Sequence, residues 1–216
     1  MPLPSSLRDE GVVDGPFRVL VVCTGNVCRS PLAAAVLRAR LAAGIADVVV
    51  ASAGLRALEG EPIDPPVAVE AARLGIDVSE HRGRAFAADE AAAADLVIVA
   101  TRRQRALAVE RVPSIVQRTF TLLELDAVLA QLDVDDAGVD ADAPAGERLA
   151  QVVRAASRDR GPAVRGVSID LPDPYGGSPT LHRGVADLVE ASATRVAHRL
   201  LDLAGGCQPS VPEDVS

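Results

Sequence analysis

Apolar residues occur along this chain in short uninterrupted runs that predict strands. Three such runs, at 17–22, 47–51 and 95–100, are apolar at most consecutive positions and lack the alternation of a half-exposed strand. Runs of this kind are typical of strands that are buried on both faces of a parallel sheet. A shorter strand-like run follows at 117–121. The pattern therefore predicts four strands in one sheet.

The segments between these runs carry apolar residues at helical spacing. The spacing predicts helices from Ser30 to Gly44 and over 67–74, 102–111, 122–132 and 181–203. Pro31 suits the first helical turn, where a backbone N–H has no intrahelical partner. Buried strands that alternate with amphipathic helices predict an α/β fold, a doubly wound four-stranded parallel sheet with helices on both faces.

The length of 216 residues favours a single domain, which we place at 17–204, between disordered tails at 1–16 and 205–216. The acidic segment 133–165 interrupts the alternation, and we interpret it as a linker or insertion. Within it, 149–157 is a candidate helix, and 133–147 and 158–165 are predicted to be exposed connections.

Composition and charge exclude several classes of function. The net charge of −8 argues against sequence-independent binding of nucleic acid, and an aromatic content of 2% leaves little for base stacking. No apolar run reaches the length of a membrane span and no signal segment opens the chain, so we expect a cytoplasmic protein without membrane insertion. Residues 1–16, 131–147 and 205–216 contribute −2, −6 and −2, so the rest of the chain carries +2.

The candidate chemistry lies in the loop between the first strand and the first helix. Cys-Thr-Gly-Asn-Val-Cys-Arg-Ser occupies 23–30. Such a loop directs backbone N–H groups at one point, and the helix N-terminus adds partial positive charge, which predicts a phosphate site. The loop lacks the Gly-Lys-Ser/Thr ending of nucleotide-binding loops. Cys23 supplies a nucleophile whose thiolate the same field stabilises, and Arg29 supplies a guanidinium.

This loop resembles the active-site signature of the low-molecular-weight protein tyrosine phosphatases of the bacterial type. Similar stretches follow in the family's order at 52–54, 75–84, 94–98 and 173–176, and the resemblance covers roughly 18–125 and 170–203. It implies a metal-independent enzyme that needs no cofactor, hydrolyses phosphotyrosine through a cysteinyl-phosphate and releases inorganic phosphate. The implied partner is a phosphotyrosine protein, with a bacterial tyrosine kinase among the candidates.

The resemblance also assigns roles to particular residues. Cys23 would be the nucleophile, Arg29 would hold two phosphoryl oxygens with its planar fork, and Asp173, held between two prolines, would be the general acid and then the base. Ser30 would donate a hydrogen bond to the Cys23 sulfur, and Asn26 would hold a left-handed backbone conformation. The implied phosphate-binding residues are Thr24, Gly25, Asn26, Val27, Cys28 and Ser30.

Residues outside the loop have implied roles as well, and some have ordinary alternatives. Ser52 and His81 would support the loop from behind, although His81 could also be a surface histidine among arginines. Tyr175 would form one wall of the substrate slot, whereas Asp-Pro-Tyr-Gly alone could be a simple turn. Cys28 could form a reversible disulfide with Cys23 or be a small buried residue.

The sequence departs from the family pattern at the slot. Ala100-Thr101 stands where the family usually carries methionine, and 55–58 offers aliphatic side chains and no aromatic where an aromatic is common, so we expect a wider or less aromatic slot. Val27 favours phosphotyrosine over phosphoarginine, because relatives that act on phosphoarginine carry threonine there.

Two other functions are compatible with parts of the pattern. A thiol-coupled arsenate reductase of the same fold needs two further cysteines after the second helix, and there are none between Cys28 and Cys207. An inactive phosphotyrosine-binding module is disfavoured because nucleophile, arginine and acid are all present. Three cysteines in this arrangement make neither a disulfide framework nor a four-ligand zinc site, so no metal is expected.

Overall fold

Four strands form one parallel sheet. The computed structural model describes residues 15–44, 47–163 and 168–205. Most of the predicted tails at 1–16 and 205–216, together with Cys207, lie outside these ranges. The strand order is β2-β1-β3-β4, which confirms the predicted parallel sheet. The strands are β1 (Phe17–Cys23), β2 (Val48–Gly54), β3 (Leu96–Val99) and β4 (Thr119–Thr121).

Both faces of the sheet are covered by helices, which explains why the strands are apolar at consecutive positions. In β1, Val19, Val21 and Cys23 point into one apolar cluster. Leu20 and Val22 point into a second cluster on the opposite face. A strand with two buried faces has no solvent-exposed side, so its residues do not alternate between apolar and polar.

The helices divide between the two faces. In chain order they are α1 (Arg29–Leu41), α2 (Pro65–Arg73), α3 (Ala88–Ala93), α4 (Arg102–Arg111), α5 (Leu122–Gln131), α6 (Val134–Ala137), α7 (Ala145–Arg158), α8 (Arg160–Ala163) and α9 (Pro179–Leu203), with a 3₁₀ helix at Pro113–Arg118. Buried side chains of α1, α2, α5, α7 and α9 share the first cluster. Those of α3, α4 and the 3₁₀ helix share the second. None of the helices in the described ranges combines the length and apolarity that a membrane crossing requires.

The acidic segment contributes a helix to the core. Its predicted helix at 149–157 is part of α7, which begins earlier, at Ala145. Leu149, Val152 and Val153 are fully or almost fully buried in the cluster that contains Phe17 of β1. The apolar stripe of α7 thus covers one face of the sheet. Most residues before it are exposed, but the predicted exposed connection at 133–147 is wrong at α6, which buries Ala137 in the same cluster.

The prediction that 158–165 is an exposed connection is wrong at Arg160. The Arg160 guanidinium lies 4.0 Å from the centroid of the Phe120 ring and donates to the Thr119 carbonyl oxygen at 2.8 Å. Its Nε lies 3.4 Å from the buried Glu124 carboxylate, to which Arg105 also pairs. Burial and the nearby Arg105 charge lower the pKa of Arg160 to about 10. The attraction of a buried carboxylate draws this arginine inward.

The order of the strands creates a crevice beside β1. The chain passes from β1 to β2 on one side and then crosses to β3 on the other. Ligands of open α/β sheets bind where the strand order reverses, outside the carboxyl ends of the strands. That position here is the loop after Cys23, between β1 and α1.

Candidate active site

The sulfur of Cys23 lies among hydrogen-bond donors at the start of the loop. The Asn26 N–H donates to Cys23 Sγ at 3.3 Å, and Ser30 Oγ lies 3.0 Å from the same sulfur. Asn26 Nδ2 donates to Ser30 Oγ at 2.9 Å, which leaves the hydroxyl proton free to point at the sulfur. The Ala53 carbonyl oxygen, the other acceptor within reach, is farther away at 3.4 Å. These donors and the N-terminus of α1 stabilise negative charge on the sulfur.

Asn26 connects the loop to the segments behind it. Its φ of +58° lies in the left-handed region, which asparagine tolerates better than most residues, and its side chain is fully buried. Nδ2 donates to Ser52 Oγ at 2.9 Å as well as to Ser30 Oγ, and Oδ1 accepts from the Arg84 N–H at 3.0 Å. One side chain therefore fixes the loop to both β2 and the 75–84 segment.

His81 supports the loop through the backbone of Asn26. His81 Nε2 lies 2.7 Å from the Asn26 carbonyl oxygen, and because a carbonyl only accepts, Nε2 carries the hydrogen. Burial lowers the pKa of His81, as do the charges of Arg82, Arg38 and Arg84, while the bond to Asn26 opposes them. His81 is thus a half-buried, neutral donor behind the loop rather than a freely exposed surface histidine.

Arg29 is buried at the other end of the loop, and one of its nitrogens has no partner. Nη2 lies 2.9 Å from Asp173 Oδ2, and Nη1 donates to the Leu171 carbonyl oxygen at 3.3 Å. Nε forms no hydrogen bond within the described ranges, although only 5% of the side chain is exposed. A buried donor without a partner costs free energy, so this N–H is available to an acceptor that enters the pocket.

Asp173 lies on the exposed side of this pair. Its side chain is 57% exposed, and Oδ1 accepts from the Tyr175 N–H at 3.4 Å. A carboxyl group at the rim can exchange its proton with solvent while it faces the pocket. The segment that carries it runs from Leu171, whose N–H donates to the Ala100 carbonyl oxygen after β3. Asp173 is thereby held beside the carboxyl ends of the strands.

Cys23, Arg29 and Asp173 line one pocket of about 210 Å³. Its walls are Leu58 and Tyr175, which are 41% and 60% exposed. The Leu58 N–H donates to the Gly25 carbonyl oxygen at 2.9 Å, so this wall is fixed to the loop. The predicted aliphatic side of the slot is therefore Leu58, and the pocket lining contains one aromatic ring, that of Tyr175. The lining residues are Cys23, Thr24, Gly25, Val27, Cys28, Arg29, Arg56, Leu58, Asp173 and Tyr175.

Cys28 has surroundings unlike those of Cys23. Its Sγ lies 3.7 Å from Asp64 Oδ2, and Asp64 in turn lies 3.4 Å from Nε2 of the buried His182. Burial, followed by the negative charge of Asp64, raises the pKa of the Cys28 thiol far above its usual range. Both loop cysteines are free thiols. Sequence reasoning missed Asp64 and His182, because no local pattern marks contacts between such distant positions.

Gln104 is a second residue that sequence reasoning missed. Its Nε2 donates to Thr24 Oγ1 at 3.0 Å, and its Oε1 accepts from the Ala100 and Thr101 N–H groups. Thr101 in turn accepts from the Gln104 N–H and caps α4. The sequence does carry a signal for this arrangement, since Thr-x-x-Gln before a helix predicts a capping box.

A parallel α/β sheet whose first loop carries a thiol and a buried guanidinium is compatible with a phosphatase. A sequence model of the family described as "Low molecular weight phosphotyrosine protein phosphatase" matches residues 18–159. The chain belongs to this family and is a phosphatase, which confirms the resemblance identified in the sequence.

Relatives in the family differ in the substrate that their names give. The low molecular weight protein-tyrosine-phosphatase of Streptomyces coelicolor is 34% identical over 182 residues, which cover 82% of this chain and 90% of that protein. The probable tyrosine phosphatase EpsP of Ralstonia solanacearum is 42% identical over 118 residues, 55% and 76% of the two chains. A protein-arginine-phosphatase of Geobacillus stearothermophilus is 29% identical over 185 residues, 86% and 97%.

Solved structures share the fold. The YwlE arginine phosphatase of Geobacillus stearothermophilus superposes with a TM-score of 0.63 at 28% identity, over 87% of this chain and 94% of that one. The tyrosine phosphatase AmsI of Erwinia amylovora superposes with a TM-score of 0.62 at 22% identity, over 85% and 92%, and supports the fold alone.

Proposed function

We propose that this phosphatase hydrolyses phosphotyrosine in proteins, without a metal, through a phosphorylated Cys23. The observation that carries the proposal is the juxtaposition of a sulfur with two donors, at 3.0 and 3.3 Å, and the Arg29–Asp173 pair in one pocket. In the first step the Cys23 thiolate attacks phosphorus and forms the S–P bond. The P–O bond to the tyrosine breaks, and Asp173 gives its proton to the leaving phenolate oxygen.

The Arg29–Asp173 pair would separate when substrate binds. The phosphoryl dianion would accept hydrogen bonds from the Arg29 Nε–H and from an Nη–H, so Arg29 would pair with phosphate rather than with Asp173. The exposed Asp173 carboxyl group would then face the leaving oxygen as the acid.

The second step reverses the role of Asp173. As a carboxylate it would remove a proton from water, and the resulting hydroxide would attack the phosphorus of the cysteinyl-phosphate. The S–P bond breaks, the thiolate of Cys23 returns, and inorganic phosphate leaves. Ser30 and the Asn26 N–H would stabilise the sulfur as a leaving group, as they would stabilise it as a nucleophile.

The lining of the pocket supports a phenolic substrate over phosphoarginine, the substrate that the names of two relatives suggest. Val27, Leu58 and the Tyr175 ring present apolar surface to the group behind the phosphate. A phenyl ring gains from burial between such walls. A guanidinium would leave polar N–H groups against them. The partner would then be a phosphotyrosine protein, with a bacterial tyrosine kinase among the candidates.

The test uses two aryl phosphates that differ in the basicity of the leaving group. Cys23→Ser should release no phosphate from either p-nitrophenyl phosphate or phenyl phosphate. Asp173→Asn should lose about 10²- to 10⁴-fold in kcat on phenyl phosphate, the range of general acid catalysis. It should lose much less on p-nitrophenyl phosphate, because nitrophenolate leaves more readily without a proton.

Asp170→Asn is the matched control, since Asp170 is a carboxylate on the same segment that pairs with Arg102 instead. It should keep wild-type rates on both substrates. Activity in Cys23→Ser, or equal losses on the two substrates in Asp173→Asn, would refute the mechanism. Faster hydrolysis of phosphoarginine than of phosphotyrosine peptides would refute the substrate assignment.

A further inference from the structure

A second pocket opens directly beside the one that holds Cys23. It has a volume of about 310 Å³, and both pockets are lined by Thr24, Arg29, Arg56 and Asp173. A substrate whose phosphorylated side chain enters the first pocket therefore places neighbouring residues at the second. An extended peptide advances about 3.3 Å per residue, so the substrate side chains that reach the second pocket lie within a few residues of the phosphotyrosine.

The second pocket is positively charged. Besides Arg29, which pairs with Asp173, it is lined by Arg56, Arg103 and Arg111. These three side chains are exposed, and within the described ranges none of them pairs with a carboxylate. Of these three side chains, only that of Arg111 forms a hydrogen bond within the described part of the chain, donated to the Leu55 carbonyl oxygen at 3.1 Å. The net charge of −8 thus coexists with a local excess of cations beside the active site.

The position of Arg103 is electrostatically unfavourable when no anionic ligand is bound. It is the second residue of α4, whose first turn contains no acidic residue. The N-terminus of a helix carries partial positive charge, so a cation there is destabilising. The neighbouring Arg102 is compensated by Asp170, at 3.3 Å, whereas Arg103 has no such partner in the described part of the chain. Departures from local rules of this kind are expected where a residue serves binding.

The loop and α4 are also held in a fixed relation. Gln104, the next residue after Arg103, donates to Thr24 Oγ1 at 3.0 Å and closes the capping box of α4 with Thr101. Arg103 is therefore anchored one residue from a direct contact with the phosphate loop. Cations whose backbone is fixed in this way can select among substrates, because binding free energy is spent only on ordering their side chains.

We infer that Arg56, Arg103 and Arg111 form a subsite for an anionic side chain next to the phosphotyrosine, so that the enzyme selects acidic phosphopeptides. This inference rests on the proposed function and specifies its substrate class. The anion is a carboxylate or a second phosphate group, since guanidinium groups bind both.

The experiment compares kcat/KM for phosphotyrosine peptides that carry glutamate, a second phosphotyrosine or alanine at each of the three positions on either side. Wild-type enzyme should favour an anionic side chain at one or more positions by about threefold or more, the scale of exposed ion pairs. The preference should vanish at about 1 M salt, where the Debye length is about 3 Å.

Arg103→Gln should reduce this preference while leaving kcat/KM for p-nitrophenyl phosphate unchanged, and Arg103→Lys should restore part of it. Arg102→Gln is the matched control, because it removes the same charge one residue away, where Asp170 already compensates it. A greater gain from phosphate than from glutamate would identify a second phosphate as the natural anion, and an equal or smaller gain would identify a carboxylate.

Hydrolysis of all phosphotyrosine peptides at equal rates would overturn the inference and leave the proposed function intact. An equal loss of preference in Arg102→Gln and Arg103→Gln would also overturn it, since the effect would then be one of overall charge. Turnover of p-nitrophenyl phosphate with no hydrolysis of any phosphotyrosine peptide would instead refute the proposed function, and the subsite with it.

Discussion

Replacement of Asn26 by alanine tests whether the loop depends on its buried amide. The change removes three hydrogen bonds, two donated by Nδ2 to Ser30 and Ser52 and one accepted by Oδ1 from the Arg84 N–H. It also puts alanine at φ +58°, a left-handed conformation that glycine and asparagine adopt more easily.

The magnitude follows from these terms. Three net hydrogen bonds contribute about 1.5–4.5 kcal/mol together, at about 0.5–1.5 kcal/mol each. The backbone adds about 1 kcal/mol, since the left-handed conformation costs other residues about 1–2 kcal/mol and asparagine less. We therefore expect Asn26→Ala to lower the free energy of unfolding by about 2.5–5.5 kcal/mol, a large share of the roughly 5–15 kcal/mol that native proteins have. The displaced loop should lower kcat by about 100-fold or less, since a misplacement of 1 Å can cost that much.

The measurement is urea unfolding followed by circular dichroism, with turnover of p-nitrophenyl phosphate on the same samples. Asn26→Gly relieves the backbone and should be about 1 kcal/mol more stable than Asn26→Ala. Ser52→Ala loses one of the three bonds and should cost only about 1 kcal/mol. A free energy of unfolding for Asn26→Ala within 1 kcal/mol of wild type would refute the reasoning.

Other parts of the structure give further expected outcomes. Because burial and Asp64 raise the pKa of Cys28, iodoacetamide at neutral pH should alkylate Cys23 and spare Cys28. Tandem mass spectrometry of the peptide that contains both cysteines locates the label, and equal labelling would contradict this. Since the pKa of His81 is lowered in the folded state, the unfolded chain binds a proton more readily, so stability is lost as pH falls through about 6.5. Urea midpoints at pH 7.5 and 5.5 should therefore differ more in wild type than in His81→Gln, and an equal difference would be evidence against this account. Arg160→Met removes a cation–π contact and a hydrogen bond and should cost about 1–3 kcal/mol in urea unfolding, whereas an unchanged midpoint would mean that the contact adds nothing.

The sheet and the phosphate loop could be predicted because their signals are local. Apolar runs mark strands buried on both faces, and Pro31 marks the first turn of α1. The position of the loop then follows from the topology, since it connects the carboxyl end of β1 to α1, and ligands of such sheets bind at the carboxyl ends of the strands. By contrast, α3 lies in an alanine-rich stretch without an apolar stripe, so no periodicity identified it.

The supporting contacts could not be predicted, because they join distant segments. Asp64 lies 36 residues from Cys28, and nothing in either local sequence pairs them. The sequence predicts an exposed connection at 158–165, and no local pattern distinguishes Arg160 within it. Its position depends on the buried carboxylate of Glu124, which tertiary packing alone brings near. Local sequence alone does not distinguish Asp173 from a turn residue, and only the family resemblance predicts its role; the structure puts its carboxylate 2.9 Å from Arg29.

The most direct test of the central claim is the trapping of the phosphorylated intermediate. Wild-type enzyme mixed with p-nitrophenyl phosphate and quenched in acid during the first turnover should carry one phosphate on the peptide that contains Cys23, located to its sulfur by tandem mass spectrometry. Cys23→Ala should carry none. Phosphate bound to any other residue, or turnover with no phosphorylated Cys23 at any quench time, would contradict the account.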